Sequence, residues 1–273
     1  MARVCTHLGH QPTVSSLLKA LSVKSRVISA LVSRSLLSEH GTTKIGYISA
    51  ILKSLGRVLM LSILFSVISR SVPVGDSLTI FLASGILPFS MCIELVTALM
   101  KMNKSGRVLM SHPIITPMDV AISILILQSS ITLVSAVILL AGTGLLGMWD
   151  YQISSLLGIL TTCIIAILLG FGIGLMNASI ILKVPSYEKI WQLLSLPLFL
   201  LSGVFYVADL LPQEALDFLK YNPLLHITES MRDSFYRSWE SSFVNYGYLV
   251  SFTTVTLFIG LFLQRTTHKR VRE

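Results

Sequence analysis

The amino-acid sequence predicts an all-α integral membrane protein with six transmembrane helices. Of its 273 residues, 53% are hydrophobic and only 12% are charged, and the mean hydropathy is +0.78. Soluble domains of this size carry about a quarter charged residues, because their surface needs polar cover. The apolar excess therefore excludes a water-soluble protein. The formal charge of +8 does not indicate nucleic-acid binding, because most of the lysines and arginines lie in the segments on one side of the predicted spans.

The N-terminal region, residues 1–47, is predicted to be cytoplasmic and to contain an amphipathic helix. It lacks the apolar stretch and small-residue cleavage site of a secretory signal peptide. Over residues 14–37, apolar side chains recur every three or four positions, and Lys19 and Arg26 fall on the opposite face. A basic amphipathic helix of this kind favours the membrane interface. A soluble helix packed on a partner is the alternative.

Residues 48–273 are predicted to form the transmembrane domain. About 20 apolar residues are needed to cross the hydrocarbon of a bilayer as a helix. Five runs have roughly that length, and the first of them can be extended back to about Ile48. A sixth run is shorter and contains Pro197 and Gly203, which suits a helix buried against others. In chain order the six runs cover residues 55–69, 77–99, 118–141, 154–182, 190–206 and 245–263.

Positive charge is distributed unequally between the two sides of this six-span arrangement. Seventeen of the 21 lysines and arginines fall on the side of the termini, and only Arg70, Lys220, Arg232 and Arg237 fall on the other. Lysine and arginine are enriched in cytoplasmic loops of membrane proteins. Both termini are therefore predicted to be cytoplasmic, which requires an even number of spans.

The segment between the last two spans, residues 207–240, is predicted to form a short helical hairpin. Pro212 suits the start of a helix over QEALDFLKY, Asn222-Pro223 interrupts it, and LLHITESMRDSFY forms a second short helix. Irregular backbone at membrane depth is tolerated only where protein or water shields it. A re-entrant hairpin and an external cap at the head groups both remain open.

The sequence contains no motif of a catalytic, nucleotide-binding or metal-binding site. It has no phosphate-binding G-x-x-x-x-G-K-[ST] loop, no nucleophile elbow and no H-E-x-x-H motif. Its three cysteines are isolated, without metal-ligand or redox spacing. The glycines of the run Gly170–Gly174 lie inside a span and predict close helix packing rather than a dinucleotide site. No catalytic residue, metal ligand or cofactor of the chain itself is predicted.

Three polar residues in or near the spans are candidates for special roles. Glu94 is the one acid well inside a span, which makes it a functional candidate by default. Snorkelling to the near surface, or a pair with Lys101 or Lys104, is an alternative of at least equal weight. Asp119 is expected to cap a helix or to make a coupling contact. His226 is expected to act through hydrogen bonds rather than as a proton carrier.

The predicted cytoplasmic loop 101–117, between the second and third spans, is basic and contains prolines and exposed apolar residues. These features favour a docking surface for a soluble partner. A simple positive anchor at the membrane is the alternative.

The segment around the hairpin resembles a known family of transporters. It reads Ser202-Gly203-Val204-Phe205-Tyr206, then Leu-Pro, then Tyr-Asn-Pro-Leu followed by H-x-x-E-x-x-R. This series is similar to the signature of permease subunits of type-2 ABC exporters, especially those of capsular polysaccharide. Gly41 and Gly46-Tyr47 match the G-x-x-x-x-G-Y pattern that precedes the first span. The chain departs from capsule permeases over residues 48–54, and O-antigen and teichoic-acid permeases share much of the signature.

The resemblance implies a homodimer that works with two copies of a separate cytoplasmic ABC ATPase, which binds ATP and Mg²⁺. The implied function is export of a lipid-linked polysaccharide, most simply capsular polysaccharide, across the bacterial inner membrane, with periplasmic and outer-membrane export proteins as further candidate partners. The alternatives are export of O-antigen or teichoic acid, export of drugs or lipids, and, from another class, an integral membrane glycan or lipid transferase.

The resemblance also implies two groups of functional residues. Candidates for the substrate path or gate are Phe205, Tyr206, Tyr221, Asn222, His226, Glu229, Arg232, Phe235 and Tyr236. Candidates for coupling to the ATPase are Arg34, Gly41, Lys44, Lys101, Lys104, Arg107, His112 and Pro113.

Overall fold

A computed structural model describes most of the chain. The described residues are 24–32, 45–68, 72–75, 77–105, 115–145, 153–237, 239 and 241–272. Within these ranges all regular secondary structure is helical. The helices are α1 (24–32), α2 (Ile45–Ile68), α3 (Leu78–Ser105), α4 (Pro117–Leu145), α5 (Leu156–Lys183), α6 (Tyr187–Leu201), α7 (Gln213–Leu219), α8 (Pro223–Phe235) and α9 (Tyr246–Arg272), with a single 3-10 turn at Ala208–Leu210.

Five of the described helices, α2, α3, α4, α5 and α9, are long and apolar enough to cross a membrane. The expected crossing over 190–206 corresponds to α6, which has 15 residues. At 1.5 Å per residue, α6 is about 22 Å long, shorter than the roughly 30 Å of bilayer hydrocarbon. The helix stops because the backbone turns at Ser202 and Gly203, and Gly203 has a φ of +69°. The sixth crossing stays a prediction.

α3 is the central helix of the bundle. In its most apolar stretch 78% of the residues are buried, against 17% in α2. It contacts α2, α4, α5, α6 and α8. α6 and α8, the helices on either side of the hairpin turn, therefore both pack on α3.

The glycines of the run Gly170–Gly174 allow three helices to pack at backbone distance. A Cβ built on Gly170 would lie 2.7 Å from the carbonyl oxygen of Cys92 in α3. A Cβ on Gly172 would lie 2.7 Å from the backbone nitrogen of Leu257 in α9. Real Cβ atoms do not approach so closely, so a larger residue would push α5 away from α3 and α9. The expectation of close helix packing is confirmed.

The part of the N-terminal helix that is described, α1, packs against the bundle. Leu31 is buried in an apolar cluster with residues of α3, α4 and α5. Lys24 lies 4.0 Å from the Asp119 carboxylate at the start of α4. The remainder of the expected helix over 14–37 lies outside the described residues.

Asp119 caps α4, as expected. Its carboxylate accepts hydrogen bonds from the backbone N–H and the hydroxyl of Thr116, at 3.0 and 2.6 Å. The Asp119 N–H in turn approaches the Thr116 hydroxyl at 3.3 Å. This reciprocal arrangement satisfies donors that the first turn of a helix leaves unpaired.

Candidate functional site: the hairpin between α6 and α9

α8, the second helix of the hairpin, carries three charged residues and is nevertheless almost wholly buried. Eleven of its 13 residues are buried. It lies against α3 and α5 and touches α9. The two short helices expected over 213–221 and 224–236 are present as α7 and α8. Protein covers most of α8, which a re-entrant helix requires. The choice between a re-entrant hairpin and an external cap stays a prediction.

Local sequence explains why α8 begins and ends where it does. Asn222 is the N-cap, and its side-chain oxygen accepts a hydrogen bond from the Leu224 N–H at 3.0 Å. Pro223 follows at the first helical position, where its missing N–H costs nothing. The last turn closes with the Tyr236 N–H bonded to the Arg232 carbonyl at 2.8 Å.

Arg232 is completely buried, and its guanidinium ties α8 to the turn that follows α6. One terminal nitrogen donates to the Glu229 carboxylate at 2.9 Å and to the Tyr206 carbonyl at 2.7 Å. The other donates to the Val204 carbonyl at 3.1 Å. The guanidinium also lies 4.2 Å from the centroid of the Phe81 ring in α3. A planar group with several fixed donors suits this task better than a lysine ammonium.

Glu229 completes the same network from the other side. The carboxylate oxygen that accepts from Arg232 also accepts from the Ala208 N–H, at 3.2 Å. A buried charge is tolerated only when it is paired and hydrogen-bonded. The Glu229–Arg232 pair therefore neutralises two charges and at the same time satisfies backbone groups of residues 204–208, which belong to no α-helix.

Two glycines make room for this turn. Gly203 has a φ of +69°, a conformation that side chains rarely adopt, and a Cβ there would collide with Leu225 of α8. A Cβ on Gly85 of α3 would lie 3.1 Å from both the Val204 Cα and an Arg232 nitrogen. The turn therefore fits between α3 and α8 because both positions lack a side chain.

Further hydrogen bonds fix α8 to α6 and α5. The Thr228 hydroxyl donates to the Ser202 carbonyl at 2.6 Å, and the Asn222 side-chain amide donates to the Leu201 carbonyl at 3.0 Å. The Ser230 and Thr162 hydroxyls lie 2.8 Å apart. Glu229 and Arg232 of the H-x-x-E-x-x-R half of the signature thus meet the Ser202–Tyr206 half in one network.

His226 links the two loops beside α8. Its Nε2 donates to the Lys220 carbonyl at 2.9 Å, and its Nδ1 accepts from the Asn245 N–H at 3.3 Å. Its ring stacks on Phe243, with centroids 4.7 Å apart. Burial lowers the pKa of His226 below its ordinary value. Both ring nitrogens are occupied by backbone groups, which is the arrangement of a structural hydrogen-bonding histidine.

The candidate aromatic residues do not lie along a common surface. Phe205 stacks on Phe65 of α2 at 4.8 Å and meets Phe199 of α6 edge-on at 5.1 Å. The side chain of Tyr221, in contrast, is 68% exposed.

The remaining aromatic candidates lie close to the hairpin core. Phe235 and Tyr236 are buried, and their rings are 5.7 Å apart. Tyr206 is half-buried and contributes its carbonyl to the Arg232 network. Of the nine gate candidates, Asn222, His226, Glu229 and Arg232 are held in internal hydrogen bonds, while Tyr221 faces outward.

A second feature is a cavity of about 960 Å³ between α2, α3, α4 and α6. Its walls include Phe89 and Phe199, and its charged lining includes Lys53 and Lys101. Phe199 also contacts Phe205, so the aromatic cluster connects this cavity to the turn after α6. A cavity of this size with apolar walls and a few charged groups is typical of a ligand site.

An ion pair inside this cavity was not anticipated from the sequence. The Arg57 guanidinium of α2 lies 2.6 Å from the Glu94 carboxylate of α3. Gln128 of α4 donates to the same carboxylate at 2.8 Å, and Arg57 donates to the Ser90 hydroxyl at 2.8 Å. Glu94 therefore pairs with a residue of a neighbouring helix, Arg57 of α2, rather than with a lysine at the end of its own helix. Arg57 and Glu94 sit at similar depth in the first two runs, and that shared depth was the available signal.

The coupling candidates are mostly beyond what the structure describes. Arg34, Gly41, Lys44, Arg107, His112 and Pro113 lie outside the described residues, as does the side chain of Lys104. Lys101 lies in the last turns of α3, which continues to Ser105. The first residues of the expected loop 101–117 are therefore helical.

No group of three His, Cys, Asp or Glu side chains that could hold a metal ion occurs in the described part of the chain.

Comparison with known proteins gives consistent matches along most of the sequence. The chain is 28% identical over 244 residues to the polysialic acid transport protein KpsM of Escherichia coli, covering 89% of this chain and 94% of that protein. It is 21% identical over 247 residues to the capsule polysaccharide export inner-membrane protein CtrC of Neisseria meningitidis serogroup A, covering 90% and 93%. It is 21% identical over 262 residues to the corresponding Haemophilus influenzae protein, BexB, covering 93% and 95%.

A family model provides the most direct assignment. The model described as ABC-2 type transporter matches residues 26–236, which extend from α1 to the end of α8. The matched range contains the cavity, the Arg57–Glu94 pair and the complete Arg232 network. The chain therefore belongs to the ABC-2 type transporter family, as the signature of residues 202–236 indicated.

Proposed function

We propose that this chain is the membrane subunit of an ATP-driven exporter that moves capsular polysaccharide across the bacterial inner membrane. The observation that carries the proposal is the similarity, over 89% or more of the chain, to proteins named for polysialic acid transport and capsule polysaccharide export. The position of Glu229, Arg232 and the turn at residues 204–206 in one buried network supports it. The chain itself has the role of a permease, and ATP hydrolysis belongs to a separate subunit.

The proposal includes six crossings with both termini in the cytoplasm. The asymmetry of lysine and arginine supports this orientation. α6 is short, but residues 202–206 continue the path toward the hairpin, and the hydrocarbon next to a short helix adapts by thinning. In this arrangement α8 is a re-entrant helix that remains on the outer side.

Two copies of the chain and two ATPase subunits form the proposed transporter. α2 and α6 support dimerisation because both present large exposed apolar side chains, including Val67 and Leu193. Such faces are covered either by lipid or by another copy. The basic region around the end of α3 and the α1 helix are the proposed contacts with the ATPase.

The cavity between α2, α3, α4 and α6 is the proposed place for the substrate during transport. Lys53, Arg57 and Lys101 line it together with Phe89 and Phe199. Cations and aromatic rings interact with the charged and apolar parts of a lipid-linked glycan. Several weak contacts suit a sliding polymer better than one tight site.

The principal test measures polymer at the cell surface after deletion and complementation of the chain. We expect deletion to leave the polymer inside the cell and wild-type protein to restore it. Glu229→Ala and Arg232→Ala should insert into the membrane but fail to export. Arg237→Ala changes an exposed arginine of the same segment and should export normally. Normal surface polymer in the deletion strain would refute the proposal.

Co-purification tests whether a separate subunit hydrolyses ATP for this chain. A tagged chain should retain an ABC ATPase whose hydrolysis in lipid nanodiscs increases with a glycolipid. Stimulation by small hydrophobic drugs and not by glycolipid would identify a drug exporter of the same architecture instead.

Topology is tested by labelling single cysteines with an impermeant maleimide in a cysteine-free background. Gln213→Cys should react in intact cells with a permeabilised outer membrane. Ser186→Cys, which is also exposed in the structure, should react only after the inner membrane is opened. Reaction of both from the same side would exclude a crossing by α6.

A further inference from the structure

A second, smaller pocket lies beside the hairpin and has a lining unlike that of the large cavity. Its volume is about 420 Å³, and it is bounded by the 3-10 turn, α7, the first turn of α8 and the segment that leads into α9. Pockets from about 300 Å³ upward are large enough to hold part of a small organic ligand.

Aromatic rings form one part of this pocket, and two of them, those of Phe243 and Tyr248, are held by contacts with His226. Phe243 stacks on His226, and the Tyr248 ring lies 5.2 Å from the same histidine. The Tyr248 hydroxyl donates to the Tyr221 carbonyl at 2.7 Å. The Tyr221 ring stands exposed at the rim. Rings held in this way bind at a lower entropic cost than mobile ones.

Planar polar groups form the other part. Gln213 has no hydrogen-bonding partner among the described residues and lines the pocket with its amide exposed. Asp209 accepts from the Ser242 hydroxyl with one carboxylate oxygen, at 3.0 Å. Asn245 uses its side-chain oxygen to cap α9 through the Tyr248 N–H at 3.0 Å. Amide and carboxylate groups beside aromatic faces match the hydroxyls and the apolar ring faces of sugars.

The charges of this pocket disfavour an anionic ligand. Asp209 and Asp217 face a single cation, Lys220, which donates to Asp217 at 2.9 Å. That hydrogen bond raises the pKa of Lys220, whose ammonium also lies 5.5 Å from the centroid of the Tyr221 ring. The formal balance here is negative, whereas the large cavity, with three cations and the two carboxylates of Glu94 and Glu188, has a positive balance. A polyanion would meet an unpaired carboxylate here.

We propose that the pocket between α7 and the start of α9 is a subsite for an uncharged stretch of oligosaccharide, with Tyr221 as the stacking platform and Gln213 as a hydrogen-bonding partner. The inference rests on the proposed function, because a glycan contacts this face only if it leaves the transporter beside the hairpin. The proposal gives the exit side of the transporter a preference for uncharged sugars, which the large cavity does not share.

The test uses the full chain in lipid nanodiscs and saturation-transfer NMR with two probes. The uncharged probe is N-acetylglucosamine tetrasaccharide, and the anionic probe is galacturonic acid tetrasaccharide. We expect transfer to the uncharged probe only. Tyr221→Ala should weaken its binding about three- to tenfold, the range expected for one aromatic contact. Gln213→Ala should also weaken it.

Matched controls are available on the same short helix. Phe218 is an exposed aromatic residue that does not line the pocket, and Glu214 is an exposed polar residue next to Gln213. Phe218→Ala and Glu214→Ala should bind the uncharged probe like wild type. Equal binding by wild type and Tyr221→Ala, equal losses in the controls, preference for the anionic probe, or no binding at all would each overturn the subsite. None of these results bears on the surface-polymer assay, so the subsite and the export function fail separately.

Discussion

α6 and α8 are neighbours in the sequence and have opposite relations to their surroundings. In α6, a helix rich in leucine, only Trp191 of 15 residues is buried. In α8, a helix with three charges and several hydroxyls, eleven of 13 residues are buried. The apolar helix faces outward and the polar helix lies inside the bundle.

The two helices are therefore stabilised by different surroundings. The outward leucines of α6 suit lipid or a second protein copy, neither of which penalises apolar surface. α8 is held inside because its polar groups bind backbone atoms that no helix satisfies, among them the carbonyls of Val204 and Tyr206. The hairpin is therefore specified by hydrogen bonds, and α6 by hydropathy.

The largest effect is expected for Arg232→Ala. Removing the guanidinium leaves Glu229 buried without its cation and deprives two carbonyls of their donor. Breaking a buried ion pair costs about 3–5 kcal/mol of unfolding free energy. Thermal unfolding of the purified protein in nanodiscs measures this loss. Arg237→Ala, at an exposed position, should change the midpoint little.

Stability of Arg232→Ala equal to that of Arg237→Ala would mean that the network is not what holds α8 inside. The comparison between the two helices would then lose its physical basis. Restored stability in Arg232→Lys would show that the charge alone suffices without the planar donors.

The next effect compares one leucine from each helix. Leu225 of α8 has 0% of its surface exposed, whereas Leu193 of α6 has 77% exposed. Leu225→Ala should lower the unfolding free energy by about 2–5 kcal/mol because it leaves a cavity. Leu193→Ala should change it by less than about 0.5 kcal/mol. A large loss for Leu193→Ala in the purified protein would show that a second copy covers α6.

A smaller effect is expected for Gly203→Ala, which tests the turn between the two helices. A side chain at φ +69° is strained, and its Cβ would collide with Leu225. The backbone strain alone is about 1–2 kcal/mol. Gly142 of α4 has nothing within 4 Å of a built Cβ, so Gly142→Ala is the matched control and should be neutral or slightly stabilising. Equal stability of the two variants would mean that the turn does not restrain α8.

The sequence was sufficient for the features that depend on composition and local pattern. Apolar runs predicted the five long helices, and Asn222-Pro223 predicted the break between α7 and α8. The glycine run predicted close packing of α5. Each of these follows from residues that are near one another in the chain, so no knowledge of the tertiary arrangement was needed.

Features that depend on contacts between distant segments could not be predicted from the sequence in the same way. Glu94 pairs with Arg57, which is 37 positions away and on another helix. Arg232 binds the carbonyls of residues 204 and 206 rather than a group exposed to substrate. The signature indicated that these residues matter together, but only the fold shows that they hold a turn.

The smallest effect concerns pH and again separates α8 from α6. His226 accepts the Asn245 N–H with Nδ1, so protonation of Nδ1 would place two donors against each other. Burial lowers the pKa of His226 in the folded protein below the ordinary value of about 6.5. A lowered folded-state pKa means that the stability is fully present above about pH 6.5 and is lost as the pH falls below it. The slope for one proton is at most about 1.4 kcal/mol per pH unit.

His226→Gln is the matched variant, because its amide keeps one donor and one acceptor but does not titrate. Between pH 7.5 and 5.5 the unfolding midpoint of wild type should fall more than that of His226→Gln, since the other titratable groups are common to both. α6 contains no histidine. Reporters of local unfolding placed on α6 and on α8 should therefore respond differently to acid, and the hairpin should unfold first as the pH falls. Equal pH dependence in wild type and variant would mean that the His226 bonds contribute nothing to holding α8 against the segment before α9.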